Sequence, residues 1–127
     1  MTAVETVNEF IRLIDAKDIE GAVALCADDV EYDNVPMGKN IGPAAVLEFL
    51  MPMVAGVDEV EFIVHRQTAT GNVVMNERTD RFLLPDDRWA EAQVMGVFEI
   101  ENGKIKAWRD YFDMGSVAAI MELLGAG

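Results

Sequence analysis

The chain has 127 residues, of which 51% are hydrophobic and 26% are charged, as in an ordinary folded domain. Its net charge of −13 argues against nucleic acid or an anionic membrane surface as a partner, and it allows a neutral or cationic small ligand. A chain of this length is expected to fold as a single domain over residues 1–127.

The first residues and the one cysteine bear on where the protein works. The start MTAVETVNEF is acidic and has no cleavable apolar core, so we expect no signal peptide. No apolar run approaches the ~20 residues that cross a bilayer, so no membrane span is expected. Cys26 is the only cysteine and lies in GAVALCADD, where we expect a buried structural thiol on a helix face. The absence of an internal disulfide favours the cytoplasm.

The first third of the chain predicts helices and one short strand. Apolar residues such as Val7 and Ile11 keep helical spacing and predict an amphipathic helix over residues 2–16. Asp18 is placed to cap a second, short helix that runs to about residue 26. The segment DVEYDNV (29–35) then alternates as a strand does, so that its tyrosine and asparagine lie on one side.

The rest of the chain predicts one more helix and then a long sheet. Pro43 opens a helix that is expected to end at Met51, because Pro52 disfavours helical geometry in the residue before it. From Val57 onward the period changes to two, and the turn signals TGN, PDD and ENG separate four strand candidates. These candidates are VDEVEFIVHRQTAT, NVVMNERTDRFLL, RWAEAQVMGVFEI and KIKAWRDYFDM, and a closing helix follows in SVAAIMELL.

This order of elements predicts the fold class. Helices followed by strands with short connections indicate an α+β protein with an antiparallel meander. A long sheet of this kind curves around the N-terminal helices and encloses an apolar pocket between them. The sequence therefore predicts a sheet with one covered face and a cavity under it.

Two of the predicted strands direct charged side chains toward that cavity. In NVVMNERTDRFLL, alternation places Arg78 and Asp80 on the same side as Phe82. In KIKAWRDYFDM, Asp110 shares a side with Trp108 and Phe112. An arginine between two aspartates would be a physically sensible way to bury these charges.

Such a trio is suited to acid–base chemistry. It has more negative than positive charge, so desolvation and repulsion favour keeping one proton on the pair of Asp80 and Asp110. One carboxylic acid and one carboxylate then form an acid–base pair, beside which Tyr32 and Asn34 could hold a water molecule. The alternative is a buried ion-pair network that only fixes the register of the sheet.

Three motifs carry a resemblance to a known family. YDN, NERTDRF and VMGVFEIENGKIKAWRDYFD resemble the limonene epoxide hydrolase family, on the cone-shaped fold of nuclear transport factor 2 and ketosteroid isomerase. The similarity runs from about Val30 to Met114, and the motifs occur in the order of the family. The resemblance implies a curved mixed sheet with a deep apolar pocket, a homodimer, and no cofactor or metal.

The resemblance also implies a role for each polar residue. Asp80 matches the general acid that protonates the epoxide oxygen, and Asp110 matches the base that deprotonates the attacking water. Tyr32 and Asn34 match the residues that hold this water, and Arg78 matches the bridge between the carboxylates. Water then attacks directly, in one step and without a covalent enzyme intermediate.

The expected activity is the hydrolysis of an apolar epoxide, cyclic or terpene-like, to a vicinal diol. The residues expected to contact the substrate are Phe82, Val94, Trp108, Phe112 and Met53. Two other readings stay open. An isomerase or polyketide cyclase of the same fold would use one carboxylate, and a non-catalytic small-ligand binding module would use none.

Two further residues are expected to have no part in the chemistry. His65 is the only histidine, so a catalytic triad or a histidine metal site has little support, and a structural or solvent-facing role is expected. Asp113 points away from Asp110 if the strand persists, which favours a turn or surface role. No Gly-rich phosphate loop is present, so a nucleotide cofactor is not indicated.

Overall fold

The computed structural model describes residues 1–123. In this range, helices come first and last and the strands lie mostly between them. The helices are α1 (Ala3–Asp15), α2 (Ile19–Val23), α3 (Pro43–Ala55) and α4 (Ala118–Leu123), with a 3-10 helix at Met114–Val117. The strands are β1 (Cys26–Asn34), β2 (Gly38–Ile41), β3 (Glu59–Thr70), β4 (Val73–Leu83), β5 (Trp89–Glu101) and β6 (Lys104–Tyr111).

The predicted first helix is confirmed to within one residue at each end. Thr2 caps α1 by accepting a hydrogen bond from the N–H of Glu5, and the Glu5 carboxylate accepts one from the N–H of Thr2, which completes a capping box. The spacing of the apolar residues then buries one face of α1, including Phe10 and Ile14, which are 0% exposed. This face forms the centre of the core.

The second helix starts as predicted and ends early. The side chain of Asp18 accepts a hydrogen bond from the N–H of Gly21 at 3.0 Å and caps α2. The prediction that α2 runs to Cys26 is wrong, because Cys26 begins β1 and pairs with Ile105 of β6. The thiol is buried, as predicted, but it is buried on a strand.

The third helix is longer than predicted. It continues through Pro52 to Ala55, so the predicted end at Met51 is wrong. Proline removes one intrahelical hydrogen bond and crowds the preceding turn, but Met53 and Val54 beyond it are buried in the core. Their burial outweighs the local preference.

The strands form one six-stranded sheet in the order β2-β1-β6-β5-β4-β3. The predicted antiparallel meander of β3 to β6 is confirmed. β1 pairs with β6 in parallel, so the sheet is mixed, and β2 adds an antiparallel edge. β2 has four residues with no apolar alternation, and the sequence reading did not detect it.

The sheet is curved and not closed, and its inner face carries the core. Register shifts interrupt β1, β3 and β5, and such irregularities bend a sheet. Phe10 of α1 packs edge-on against Phe98 and Trp108, with ring centroids 6.1 and 5.0 Å apart. The predicted fold class, a curved mixed sheet around N-terminal helices, is therefore confirmed.

The predicted closing helix is present in the described part of the chain. It begins with the 3-10 turn at Met114 and continues as α4, and Leu124 of the predicted segment lies outside the described residues. Within residues 1–123, no helix has both the length and the apolar character needed to cross a bilayer.

Candidate active site

A cavity of about 60 Å³ lies between the inner face of the sheet and the helices α3 and α4. Most of its lining is apolar, and four of the predicted polar residues reach it: Tyr32, Asn34, Asp80 and Asp110. Four of the five predicted substrate contacts also line it: Met53, Phe82, Val94 and Phe112. The cavity thus combines an apolar wall with two carboxyl groups.

The fifth predicted substrate contact, Trp108, is not among the residues that line the cavity. Its indole is 1% exposed and lies stacked between Tyr32 and Phe98, with ring centroids 3.9 and 5.6 Å away. Its Nε1 donates a hydrogen bond to Oδ1 of Asp110 at 2.8 Å. We therefore correct its role from contact with substrate to support of Asp110.

Arg78 bridges the two carboxyl groups, the arrangement that the family resemblance implies. Its Nε and Nη2 donate to the two oxygens of Asp80, both at 2.9 Å, in a bidentate pair. Nη2 also donates to Oδ2 of Asp110 at 2.9 Å. The side chain of Arg78 is 0% exposed, and Asp80 and Asp110 are 6% and 3% exposed. Both ion pairs are thus out of contact with bulk water. The attraction between the charges is strong in such a buried site, but removing the charges from water is costly.

The electrostatics of this trio favour retention of a proton. Burial raises the pKa of Asp110 to about 6, the charge of Arg78 opposes this shift, and the charge of Asp80 adds to it. With both carboxyl groups ionised, the trio would have a net charge of −1 in a dry site. With one proton on the pair, the trio is neutral. The arrangement can therefore supply one acid and one base.

The raised pKa of Asp110 predicts a pH dependence of stability. Because the folded-state pKa lies above the ordinary 3.8, the contribution of Asp110 is fully present below about pH 4 and is lost as the pH rises through about 6. The free energy of unfolding of the unmodified protein, minus that of Asp110→Asn, should fall by about 2–3 kcal/mol from pH 4 to pH 7. Urea unfolding of both proteins at each pH measures this difference. The pKa of Asp15 is also raised to about 6, but Asp15 is present in both proteins, so its contribution largely cancels. A pH-independent difference would contradict the prediction.

Parallel pairing of β1 with β6 brings the predicted water-holding residues to Asp110. Asn34 is opposite Asp110 in the register, and Tyr32 is opposite Trp108. The Tyr32 hydroxyl donates to Oδ1 of Asn34 at 3.2 Å, and burial keeps the pKa of Tyr32 well above its ordinary value. The Nδ2 of Asn34 is buried and finds no hydrogen-bond partner among the described residues. Since an unpaired buried donor is costly, Nδ2 is a ready site for an oxygen atom beside Asp110.

The sequence reading did not identify two residues that contact Arg78. Asn76 accepts a hydrogen bond from Nη1 of Arg78 at 2.9 Å. Gly96 lies opposite Asn76 and also opposite Asp110 in the register of the sheet. Alternation had placed Asn76 on the inner side, which was the available signal, but no local pattern marks Gly96.

The residues that line the cavity do not include His65, Asp113 or Cys26. His65 is exposed, and its Nε2 lies 2.8 Å from Oγ1 of Thr79. Asp113 caps the 3-10 helix by accepting a hydrogen bond from the N–H of Gly115 at 3.2 Å. Burial raises the pKa of the Cys26 thiol to about 12, which makes it a poor nucleophile. In residues 1–123, no three His, Cys, Asp or Glu side chains are arranged to hold a metal ion.

Comparison with solved structures defines the class of the fold. An LEH-like epoxide hydrolase from M. tuberculosis matches with a TM-score of 0.80 and 31% identity, over 98% of this chain and 90% of that one. An NTF2-like protein from Burkholderia pseudomallei K96243 matches at 0.78 with 21% identity, over 98% of both chains. A protein described as a SnoaL-like polyketide cyclase, from Shewanella denitrificans OS-217, matches at 0.83 with 14% identity, over 94% of this chain and 96% of that one. The chain thus has the NTF2-like fold.

Comparison of sequences identifies the family within this fold. The family model described as "Limonene-1,2-epoxide hydrolase catalytic domain" matches residues 1–121. The epoxide hydrolase EphG of Mycobacterium tuberculosis (strain ATCC 25618 / H37Rv) is 34% identical over 108 residues, which are 85% of this chain and 71% of that protein. The chain belongs to the limonene-1,2-epoxide hydrolase family, which confirms the predicted resemblance.

Proposed function

We propose that this protein is an epoxide hydrolase that adds water to an apolar epoxide, cyclic or terpene-like, and releases a vicinal diol without a cofactor. Its family and its 34% identity to EphG support epoxide hydrolysis in general. The observation that carries the proposal is the pair of Asp80 and Asp110, bridged by Arg78 at the wall of an apolar cavity. An apolar wall suits an apolar substrate, because the carboxyl groups are the main polar features that it meets.

Each carboxyl group has one part in the proposed reaction. Asp110, next to the free Nδ2 of Asn34, accepts a proton from water while the water oxygen forms a bond to an epoxide carbon. The bond from this carbon to the ring oxygen breaks, and that oxygen takes the proton of Asp80. The diol is complete at this point, with the proton now on Asp110, and a proton returns to Asp80 before the next turnover. No bond forms between the enzyme and the substrate.

Arg78 lets this proton transfer take place in a buried site. It remains charged throughout, since its guanidinium does not release a proton in proteins. It stays within 2.9 Å of both carboxyl groups, so it stabilises whichever of the two is ionised. General acid and general base catalysis by such groups typically contribute ~10²–10⁴-fold each.

The proposal is tested by product analysis on a panel of small epoxides that includes limonene oxide and cyclohexene oxide. A diol formed by the purified protein supports it. An isomerised ketone or allylic alcohol would instead favour an isomerase of the same fold. A ligand that raises the melting temperature without conversion would favour a binding module. Folded protein that forms no diol from any epoxide of the panel would contradict the proposal.

Asn34→Ala is expected to reduce epoxide hydrolysis by about 10–100-fold and to lower the free energy of unfolding by about 1–3 kcal/mol, because the buried Tyr32 hydroxyl loses its acceptor. The reason for the lower activity is that the site would lose Nδ2 of Asn34, a buried donor without a partner among the described residues that is placed to orient the attacking water. Steady-state kinetics measure the loss, and Asp33→Ala is the matched control, since Asp33 lies on the same strand but on the opposite face. Equal activities of the two variants would contradict the role of Asn34.

We also propose that the protein is a cytoplasmic homodimer. The outer face of the sheet exposes Met75, Met95 and Tyr111, each by more than two-fifths of its surface, and the last two are neighbours in the register. A second copy covering this face would bury these side chains, and the family resemblance implies a homodimer. A solution mass near that of one 14.0 kDa chain would contradict it.

A further inference from the structure

Asn76 holds the side of Arg78 that faces away from the carboxyl groups. It lies on β4, two residues before Arg78, and its side chain is 0% exposed. Its Oδ1 accepts from Nη1 of Arg78 at 2.9 Å, and its Nδ2 donates to Oε1 of Gln67 at 3.0 Å. Gln67 in turn donates to Oδ1 of Asn8 on α1 at 2.9 Å. Arginine offers only donors, so Asn76 must present its oxygen to Arg78 and its NH2 group to the next amide. The same order then holds for Gln67 and Asn8, so the direction of every hydrogen bond in this series is fixed.

Gly96 provides the space in which the guanidinium lies. A Cβ atom at this position would be 2.2 Å from Nη1 of Arg78, 2.8 Å from Oδ1 of Asn76 and 3.0 Å from Oδ1 of Asp110. Its backbone is not in the left-handed region, so conformation does not require a glycine there. Glycine weakens the middle of a strand, and close approach of another group is one of the reasons to find it there. Here that group is the guanidinium.

We propose that Asn76 and Gly96 are positioning residues that keep the guanidinium of Arg78 between Asp80 and Asp110. This inference rests on the proposed function for its effect on turnover, but its geometry does not. Asn76 is the third partner residue of Arg78, and it supplies a neutral oxygen as the fourth acceptor. A carboxylate in that place would compete with the pair for the one positive charge.

Both titratable groups and aromatic rings surround the trio of Arg78, Asp80 and Asp110. Among the described residues, Tyr32 from β1 and Asp15 from α1 are titratable groups that interact with the trio. The rings of Phe62 and Phe98 also lie beside the guanidinium, with centroids 5.1 and 6.0 Å from Cζ. A substitution at Asn76 leaves all four in place.

The first test is the titration of the aspartate carboxyl carbons by ¹³C NMR in Asn76→Asp. The new carboxylate adds negative charge beside the pair, so the pair should keep its last proton to a pH that is higher by about one unit or more. Thr68→Asp, which adds the same charge on an exposed position of neighbouring β3, should shift it by no more than a few tenths. An unchanged titration in Asn76→Asp overturns the proposal.

The second test uses Gly96→Ala and turnover of an epoxide. The added methyl group must displace the guanidinium, so kcat should fall about 10-fold or more while KM changes less than about 2-fold. Wild-type kcat in folded Gly96→Ala overturns the proposal. The titration needs no substrate, so it tests the positioning role independently of the proposed epoxide hydrolysis. If Asn76→Asp shifts the titration but the unmodified protein forms no diol, only the proposed function is contradicted. If the unmodified protein forms diol but Asn76→Asp leaves the titration unchanged, only the positioning role is contradicted.

Discussion

Replacement of either Asp80 or Asp110 by asparagine is expected to lower epoxide turnover by about 10²–10⁴-fold and to leave the fold intact. Asparagine keeps the shape of the side chain, but it can neither give up the acidic proton nor accept one from water. Single-turnover product formation measures the loss, and circular dichroism checks the fold. The two variants should fail for different reasons, since Asp80→Asn lacks the acid and Asp110→Asn lacks the base.

Asp113→Asn is the matched control for both variants. Asp113 lies three residues after Asp110, is exposed, and caps the 3-10 helix instead of facing the cavity. Its turnover should stay within about 2-fold of the unmodified protein, because only a surface cap is altered. Undiminished hydrolysis by Asp80→Asn or Asp110→Asn would refute the assigned roles. It would leave the buried trio as a network that only fixes the register of the sheet.

Arg78→Met is expected to lower the free energy of unfolding by about 3–5 kcal/mol at pH 7 and to abolish hydrolysis. The substitution leaves Asp80 and Asp110 buried without a cation, and their mutual repulsion is no longer offset. Urea unfolding followed by circular dichroism measures the change in stability. The loss should shrink at low pH, where protonation removes the unpaired charges.

Two control proteins separate lost charge from lost packing. Arg66→Met breaks an exposed ion pair with Glu77, in which the arginine side chain is 80% exposed, and should alter stability by no more than ~1 kcal/mol. Arg78→Met combined with Asp80→Asn and Asp110→Asn removes all three charges and should recover much of the stability. A triple variant as unstable as Arg78→Met alone would show that packing, not unpaired charge, explains the loss.

Much of the site was predictable because alternation in a strand is a local rule. Once β4 and β6 were recognised as strands, their period of two placed Arg78, Asp80 and Asp110 on the buried side. Alternation gives the face of the sheet but not the depth along it. Trp108 and Phe112 share a face with Asp110, yet only Phe112 reaches the cavity while Trp108 lies behind Asp110.

The rest of the site depends on contacts between residues distant in sequence. The parallel pairing of β1 with β6 places Asn34 opposite Asp110. No local sequence pattern predicts a pairing between residues 76 positions apart in the chain. The polar residues Tyr32 and Asn34 on one side of a strand suggested a water beside the pair, and the family resemblance implied that Asp110 activates this water. Gly96 gives no signal of its own, since its role is to leave space for a side chain of another strand.

The errors in the fold follow the same division between local preference and burial. The preference of residues before a proline predicts that the helix ends at Met51, but the buried residues beyond Pro52 keep α3 helical to Ala55. Cys26 was assigned to a helix by its apolar neighbours, whereas pairing with β6 makes it part of a strand. Local rules predicted where α1, α2 and α3 begin, because a capping residue or a proline determines each start. They predicted the ends of α2 and α3 less well.

The most direct test of the account is hydrolysis of limonene oxide or cyclohexene oxide in ¹⁸O-labelled water with enzyme in excess, so that each molecule turns over at most once. Mass spectrometry of the diol shows where its new oxygen comes from. Direct attack by water beside Asp110 predicts one ¹⁸O atom in the diol of the first turnover. Unlabelled diol in that turnover would mean that a carboxyl oxygen of the enzyme is transferred, which would contradict the mechanism.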